Sequence, residues 1–257
     1  VAVEDTMELS FYDGLVRGLE DLSIGALLPQ MHGDLRLMRA VKDEEEIALM
    51  KRAQAITDAA FAHMLEFIRP GLTEKQIKLE LENFMFENGA DGLAFGSIVA
   101  AGPNAANPHA IPSDRPVQKG EFVLMDYGAR YHDYDSDMTR TVAVGEPSAK
   151  MREIYDLVKR THEECAKAVY AGVDGNEIHE LSRKIIGDAG YGEYYGHGLG
   201  HGVGIDIHEL PNFGRTHNTV GEGSVVTIEP GVYLPGEFGV RLEDYGLVTA
   251  QGFVPFT

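Results

Sequence analysis

Apolar residues from Asp43 onward return at helical spacing: Ile47, Met50, Ala53, Ala60, Phe61, Met64 and Phe67 predict one long helix. Asp43 and Glu46 form a capping-box pattern at its start, and Pro70-Gly71 stops it. A second box, Thr73 to Gln76, opens a helix through Ile77, Leu81, Phe84 and Met85 that ends near Gly89. The pattern then changes to runs that read as strands: Phe95 to Ala101, Phe122 to Ala129 and Thr139 to Val144.

After Ser148 the same order recurs. A long helix runs to about Tyr170 and a second from about Gly175 to Ala189, followed by strands at Val225 to Leu234 and Val240 to Thr249. The recurrence keeps register: GLTEKQI at Gly71 lies 101 positions before GVDGNEI at Gly172, and the same offset carries Gly89 onto Gly190. KGEFVLMDYG from Lys119 matches EGSVVTIEPG from Glu222, so Asp126 falls on Glu229. Matched carboxylates in otherwise apolar strands point to a duplicated half, with the two acids facing a shared cleft.

Composition narrows the partners. At 257 residues, 44% hydrophobic and 25% charged, the chain has the make-up of a globular protein, and no apolar run approaches the roughly 20 residues of a membrane span. The lone cysteine, Cys165, excludes an internal disulfide and reads as a core residue, which fits a reducing, cytoplasmic compartment. With 22 basic and 41 acidic residues the formal charge is -19, against nucleic acid or an anionic membrane as partner. The surplus carboxylates are what a cation site draws on.

The segment HGLGHGVGIDIHE sets His197, His201 and His208 among glycines. His197 and His201 have the spacing of a zinc-protease helix, but each glycine would cost that helix about 1 kcal/mol relative to alanine, and no glutamate follows His197. A loop or irregular strand with close backbone approach is expected instead, its ligand partners coming from elsewhere in the chain.

Those partners are acids. VLMDYG places Asp126 in a buried strand, where an ionised carboxylate needs a partner or a cation, and Asp137 follows eleven residues later in DSDMTRT. VVTIEPG offers Glu229 and GVRLEDYGLVT offers Glu243. Singly, each reads as a salt bridge or a strand-end turn. Together they have few basic residues nearby, Arg140 and Arg241 being the main candidates, and four carboxylates with a neutral histidine are balanced by two divalent cations. Mn²⁺ or Co²⁺ suits such an oxygen-rich mixed set, with Zn²⁺ or Fe²⁺ as alternatives, and metal-assisted hydrolysis is the expected reaction class.

In chain order, AGPNAANPHAIPSDR, LMDYGARYHDYDSDMTRT, HGLGHGVGIDIHELP, VVTIEPGVY and GVRLEDYGLVT resemble the motifs of the pita-bread metallopeptidases. That family includes methionine aminopeptidases, Xaa-Pro aminopeptidases and Xaa-Pro dipeptidases (prolidases), and the resemblance covers about Asp43 to Thr257. It implies an α+β fold, duplicated about a pseudo-two-fold axis, with a curved, mainly antiparallel sheet backed by helices. It places five metal ligands on Asp126, Asp137, His201, Glu229 and Glu243. Asp126 would chelate one ion and His201 with Glu229 the other, while Asp137 and Glu243 bridge and a metal-bridging hydroxide attacks the scissile carbonyl. By the same resemblance Glu229 is the general base, His109 contacts substrate near the leaving nitrogen, and His208 stabilises the oxyanion. Arg241, two positions from Glu243 and on the same face of a strand, is expected to orient or neutralise it.

His197 and the PHAIPSDR segment resemble the Xaa-Pro branch, so the implied substrate is a short peptide or dipeptide with proline after its N-terminal residue. His197 would line the product side, a backbone-bonded loop histidine being the alternative. Arg215 would clamp a free C-terminal carboxylate, or is a plain surface arginine. A methionine aminopeptidase and a non-catalytic pita-bread binding module are the competing functions. Residues 41–257 are expected to form the catalytic domain, with 1–40 a remnant or linker from a missing N-terminal domain, and a homodimer is the oligomer considered. His63, His162 and His179 read as surface or edge residues of helices, and His32, His132 and His217 carry no motif.

Overall fold

The computed structural model describes residues 3–4, 7–25, 28–29, 31 and 33–257, so His32 lies outside the described residues. The chain divides into two compact units, Val1–Arg39 and Ala40–Thr257. Helix α1 (Leu9–Asp21) lies in the first and buries none of its residues; α2 (Asp34–Ala40) runs up to the boundary.

In the second unit, α3 (Glu44–Phe67) starts as predicted. The Asp43 carboxylate accepts the N–H groups of Glu45 and Glu46, and the Glu46 carboxylate accepts the Asp43 N–H. Thr73 and Gln76 make the same reciprocal pair at the start of α4 (Glu74–Glu87). Six strands follow: β1 (Gly92–Leu93), β2 (Ile98–Ala101), β3 (Phe122–Tyr127), β4 (Ala129–Tyr131), β5 (Tyr134–Asp135) and β6 (Met138–Ala143). The second half contains α5 (Ala149–Ala168), whose Ser148 cap accepts the Met151 N–H, and α6 (Gly175–Asp188). Its strands are β7 (Gly200–Gly202), β8 (Glu209–Phe213), β9 (Val225–Ile228), β10 (Gly231–Leu234), β11 (Phe238–Arg241), β12 (Asp244–Thr249) and β13 (Gly252–Pro255).

Among the described residues every strand pairing is antiparallel, in the sheets β2-β3-β6, β13-β12-β9-β7-β8, β1-β4-β5 and β10-β11. Three expected strands are each broken in two, the run from Phe122 dividing at Gly128 between β3 and β4. Pro230 has no N–H to give a ladder, so β9 stops at Ile228 and pairs with β12, while β10 turns away to pair with β11. The run from Val240 divides likewise between Arg241 and Asp244. Glu229 and Glu243 therefore sit at strand ends, where a side chain escapes strict alternation.

Helices α3 and α4 pack Ile56, Met64, Ile77 and Leu81 against Val99, Val123 and Met125 of the first sheet. Helices α5 and α6 bring Cys165 and Ile178 against Val226, Ile228 and Val248 of the second. The duplication is visible in the backbone. Gly71 and Gly172 hold φ of 93° and 100°, and each donates its N–H to a valine carbonyl, Val117 at 2.9 Å and Val220 at 2.8 Å. Gly89 and Gly190 hold φ of 100° and 87° just past their helices, the left-handed turn that favours glycine. His179 departs from its expected surface position, because α6 turns it inward to 2% exposure. No helix among the described residues is long and apolar enough to cross a membrane.

Candidate metal centre and active site

Alternation along β3 sends Val123, Met125 and Tyr127 into the core below α3 and α4, so Asp126 points to the opposite face. Val226 and Ile228 do the same in β9, and Glu229 follows where Pro230 ends the strand. Between them opens a cavity of about 350 Å³, lined by Asp126, Asp137, Glu229, Glu243, Arg241 and the histidines 109, 197, 201 and 208. Phe95, Ile98, Pro108 and Ile207 supply an apolar wall. Arg215 is exposed and not among the lining residues. A second groove of about 480 Å³, over Arg140, His162 and Asp244, shares Glu243 with this cavity.

His201 arrives on β7, whose glycines are set by contact. A Cβ at Gly200 would stand 2.1 Å from the Thr227 carbonyl oxygen, and one at Gly202 would stand 2.2 Å from that of Leu210. Close backbone approach, expected from the sequence, is therefore what the glycines permit. The His201 Nδ1–H donates to the Gly202 carbonyl at 3.1 Å, which leaves Nε2 as the bare nitrogen turned to the acids. Nε2 lies 3.6 Å from Asp137 Oδ2 and 3.4 Å from Glu229 Oε1. Burial, and then the neighbouring His208, lower the His201 pKa to about 4, so its ring is neutral at pH 7.

Ligand atoms of Asp137, His201 and Glu243 lie within 4.8 Å of one another, the one such group among the described residues. Burial raises the carboxyls of Asp137 and Glu229 well above their ordinary range, Glu243 adding to both, and it lifts Glu243 to about 8 with Asp126 as next cause. Four carboxylates withdrawn from water and repelling one another are the chemistry that divalent cations relieve. Asp126 Oδ1 is buried with no hydrogen-bond partner, an oxygen in need of a positive ligand. The residues fit a cation pair on three counts: bare imidazole nitrogen, orphan carboxylate oxygen and excess negative charge.

Arg241 acts on Glu243 by charge, lowering its carboxyl pKa against the effect of burial, but its hydrogen bonds go elsewhere. Its Nη2 pairs with Asp126 Oδ2 at 2.5 Å, its Nη1 donates to Tyr233 Oη at 2.6 Å, and its Nε donates to Thr139 Oγ1 at 3.1 Å. Arg241 closes β11 while Glu243 lies beyond the strand end, so the shared face assumed from two-residue spacing does not form. Thr139 reaches Glu243 in its place, donating Oγ1–H to Oε2 at 2.6 Å. Arg140 is spent on the Glu243 carbonyl oxygen and on Asp244.

His197 is the backbone-bonded loop histidine of one reading, and its ring also lines the cavity. Its Nδ1 bonds the Gly198 carbonyl at 2.7 Å and its Nε2 meets Tyr233 Oη at 2.9 Å. Burial and then Arg241 lower its pKa to about 4. Asp126, Arg241, Tyr233 and His197 thus form one hydrogen-bonded chain along the cavity. Thr139 and Tyr233 were not singled out from the sequence, although both lie inside quoted motifs, DSDMTRT and VVTIEPGVY.

Residues 48–250 match metallopeptidase family M24. The chain is 41% identical over 219 residues to the Xaa-Pro dipeptidase of Pyrococcus horikoshii, covering 85% of this chain and 62% of that protein. It is 43% identical over 222 residues to the Xaa-Pro dipeptidase of Lactobacillus delbrueckii subsp. lactis, covering 86% and 60%. It superposes on the prolidase of Pyrococcus furiosus with a TM-score of 0.93 at 36% identity, covering 100% of this chain and 75% of that one. On the X-Pro aminopeptidase of Thermotoga maritima the TM-score is 0.92 at 36% identity, covering 100% and 73%. The chain spans about three fifths of the length of these curated relatives. With its fold, its duplicated halves and its acid-rich cavity accounted for, the chain belongs to metallopeptidase family M24.

Proposed function

We propose that this chain hydrolyses the Xaa-Pro bond of dipeptides or of short peptides with proline in second place. The observation that carries the reading is the convergence of Asp137, His201 and Glu243 on one point of a cavity that Asp126 and Glu229 also line. Relatives identical to it at more than two fifths of the aligned positions bear the name Xaa-Pro dipeptidase. A methionine aminopeptidase is less well supported by those likenesses, and a non-catalytic binding module would have no use for a complete ligand set.

Asp126, Asp137, His201, Glu229 and Glu243 would hold two divalent cations, Mn²⁺ or Co²⁺ by the hardness of four carboxylates, with Zn²⁺ or Fe²⁺ as alternatives. Bound there, the cations supply Lewis acidity and offset the repulsion among the carboxylates. The chain's own groups then divide the work. Glu229 takes the proton of the attacking water and delivers it to the leaving nitrogen. His208 donates to the oxyanion that develops on the scissile carbonyl, and His109 contacts the substrate beside the proline nitrogen. The wall of Phe95, Ile98 and Ile207 excludes water from the ring of the substrate. Arg241 holds Asp126, and His197 sits on the product side with Tyr233 behind it. Arg215, exposed and outside the cavity lining, would clamp a product carboxylate by moving toward the cavity.

A panel of Ala-Pro, Leu-Pro, Ala-Pro-Ala and Met-Ala, assayed with Mn²⁺ and with Co²⁺, tests the reading. Cleavage of the three proline peptides, abolished in Asp137→Ala, is expected. Cleavage of Met-Ala alone would overturn it, and comparison of Leu-Pro with Ala-Pro-Ala separates dipeptidase from aminopeptidase.

A further inference from the structure

His208 stands at the end of a loop, residues 203–208, that leaves β7 and returns into β8, and its ring meets that of His201 edge-on at 4.3 Å between centroids. The next residue, Glu209, folds its carboxylate back over the loop. Oε1 accepts the Asp206 N–H at 3.1 Å, and a Cβ at Gly204 would lie 2.5 Å and 2.6 Å from the two carboxylate oxygens. Oε2 accepts from Lys42 Nζ at 2.9 Å. The two side chains are 1% and 5% exposed, and 167 positions separate them in the chain.

Lys42 is itself anchored. Its N–H donates to the Gly223 carbonyl at 2.9 Å, Val41 bridges to Ser224, and α3 begins two residues later. The loop has a further tie, the Asp135 N–H donating to Gly204 at 2.9 Å. A buried ion pair adds little stability over a well-packed apolar pair, so its presence here asks for another reason. What the pair fixes is the direction of Glu209, and with it the peptide that carries His208.

We infer that Lys42 is a positioning residue for His208: the buried Lys42–Glu209 pair sets loop 203–208 so that His208 faces the cavity beside His201. The inference rests on the role proposed for His208. Lys42 is not among the residues that line the cavity; it acts by holding a donor in place where a displacement of about 1 Å costs on the order of 100-fold in rate.

The test compares Lys42→Met, Lys42→Arg and Glu209→Gln with His208→Gln in the whole Mn²⁺-loaded chain on Ala-Pro. Lys42→Met is expected to lower kcat roughly 10- to 100-fold with KM changed less than about twofold, as loss of a group acting in the transition state does. Lys42→Arg should recover most of the rate. In the double variant Lys42→Met with His208→Gln, no further slowing beyond His208→Gln is expected, since both act through one ring. Equal slowing by Lys42→Met with and without His208 would overturn the inference. Histidine-labelled protein gives a readout free of turnover: the His208 ring resonance, assigned by its loss in His208→Gln, should shift in Lys42→Met while that of His217 stays. Should Lys42→Met not fold, Glu209→Gln makes the same comparison, because it keeps the shape and removes the charge. An unmoved His208 resonance refutes the clamp even in a chain that cleaves no Xaa-Pro peptide, a result that would count separately against the functional reading.

Discussion

Thr139 and Glu243 are joined across the seam between the two halves of the fold. The Glu243 N–H donates to the Thr139 carbonyl at 3.1 Å, and Thr139 Oγ1 donates to Glu243 Oε2 at 2.6 Å. They hold equivalent places: Thr139 lies opposite Asp126 in the β3–β6 ladder, and Glu243 lies one step beyond the Asp244–Ile228 pair of β12 and β9, which sets it opposite Glu229. The halves therefore meet at matched positions, and a hydroxyl from one orients a carboxylate of the other. The same hydroxyl accepts Arg241 Nε, so it links the guanidinium on Asp126 to the acid across the seam.

Thr139→Val keeps the shape of that side chain and removes both bonds. Stability is expected to fall by about 1–3 kcal/mol, because Arg241 Nε and Glu243 Oε2 are left buried and unpaired. Mn²⁺ affinity is expected to fall roughly 10- to 100-fold as Glu243 loses its orientation, with Thr139→Ser restoring most of it. Titration calorimetry decides: an affinity within about twofold of the parent would leave Thr139 no part in the centre.

How much of this was legible beforehand differs between elements. Both capping boxes and the strand alternation that turns Asp126 away from the core are local, and local pattern is what a sequence displays. The 101-residue offset read from the sequence reappears as Gly71 and Gly172 sharing one left-handed turn. Partners that the fold alone brings together were not legible. Arg241 was read against Glu243, two residues away, which it reaches by charge, but its hydrogen bond to Asp126, 115 positions distant, was not foreseen. Tyr233 was invisible as a partner of His197 for the same reason, since the contact depends on the β10–β11 hairpin leaving the main sheet at Pro230.

Among the described residues Arg241 is the one guanidinium ion-paired with a carboxylate that lines the cavity, so its loss is felt as charge. Arg241→Met is expected to destabilise the metal-free chain by about 3–5 kcal/mol, the cost of an uncompensated buried carboxylate, and added Mn²⁺ should recover part of that. Arg241→Lys should recover little, because an ammonium cannot serve Asp126, Tyr233 and Thr139 at once. Urea unfolding with and without Mn²⁺ measures both; equal stability of Arg241→Lys and the parent would contradict the fork geometry.

Stability should depend on pH in opposite directions with and without metal. His197 and His201 have folded pKa values of about 4, below the ordinary 6.5, so the unfolded chain binds more protons between those values and these rings favour the fold as pH rises to 6.5. Glu243, lifted from 4.5 to about 8, acts the other way: the folded chain holds the extra proton, and stability is lost as pH rises through that window. Between pH 6.5 and 8 the raised carboxyls govern, and the melting temperature of the metal-free chain should fall. With saturating Mn²⁺ the fall should vanish or reverse, because cations bind the deprotonated acids and release their protons. Melts across that range, with and without chelator, check the sign; parallel curves would mean that the acids do not share a cation.

Two glycines to alanine make the last comparison, chosen for opposite surroundings. At Gly200 the added methyl group meets the Thr227 carbonyl oxygen at 2.1 Å, a backbone atom that cannot turn aside, so β7 and β9 must part. Gly200→Ala is expected to cost about 1–3 kcal/mol by overpacking, and to weaken Mn²⁺ binding as well, since the next residue is His201. At Gly187, inside α6, an added Cβ meets nothing within 4 Å, and alanine there should gain up to about 1 kcal/mol from helix propensity with Mn²⁺ binding unchanged. Thermal melts and Mn²⁺ titration of the two variants separate crowding at the centre from a general cost of adding a methyl group. Equal effects of the two substitutions would remove the steric account of why glycines flank His201.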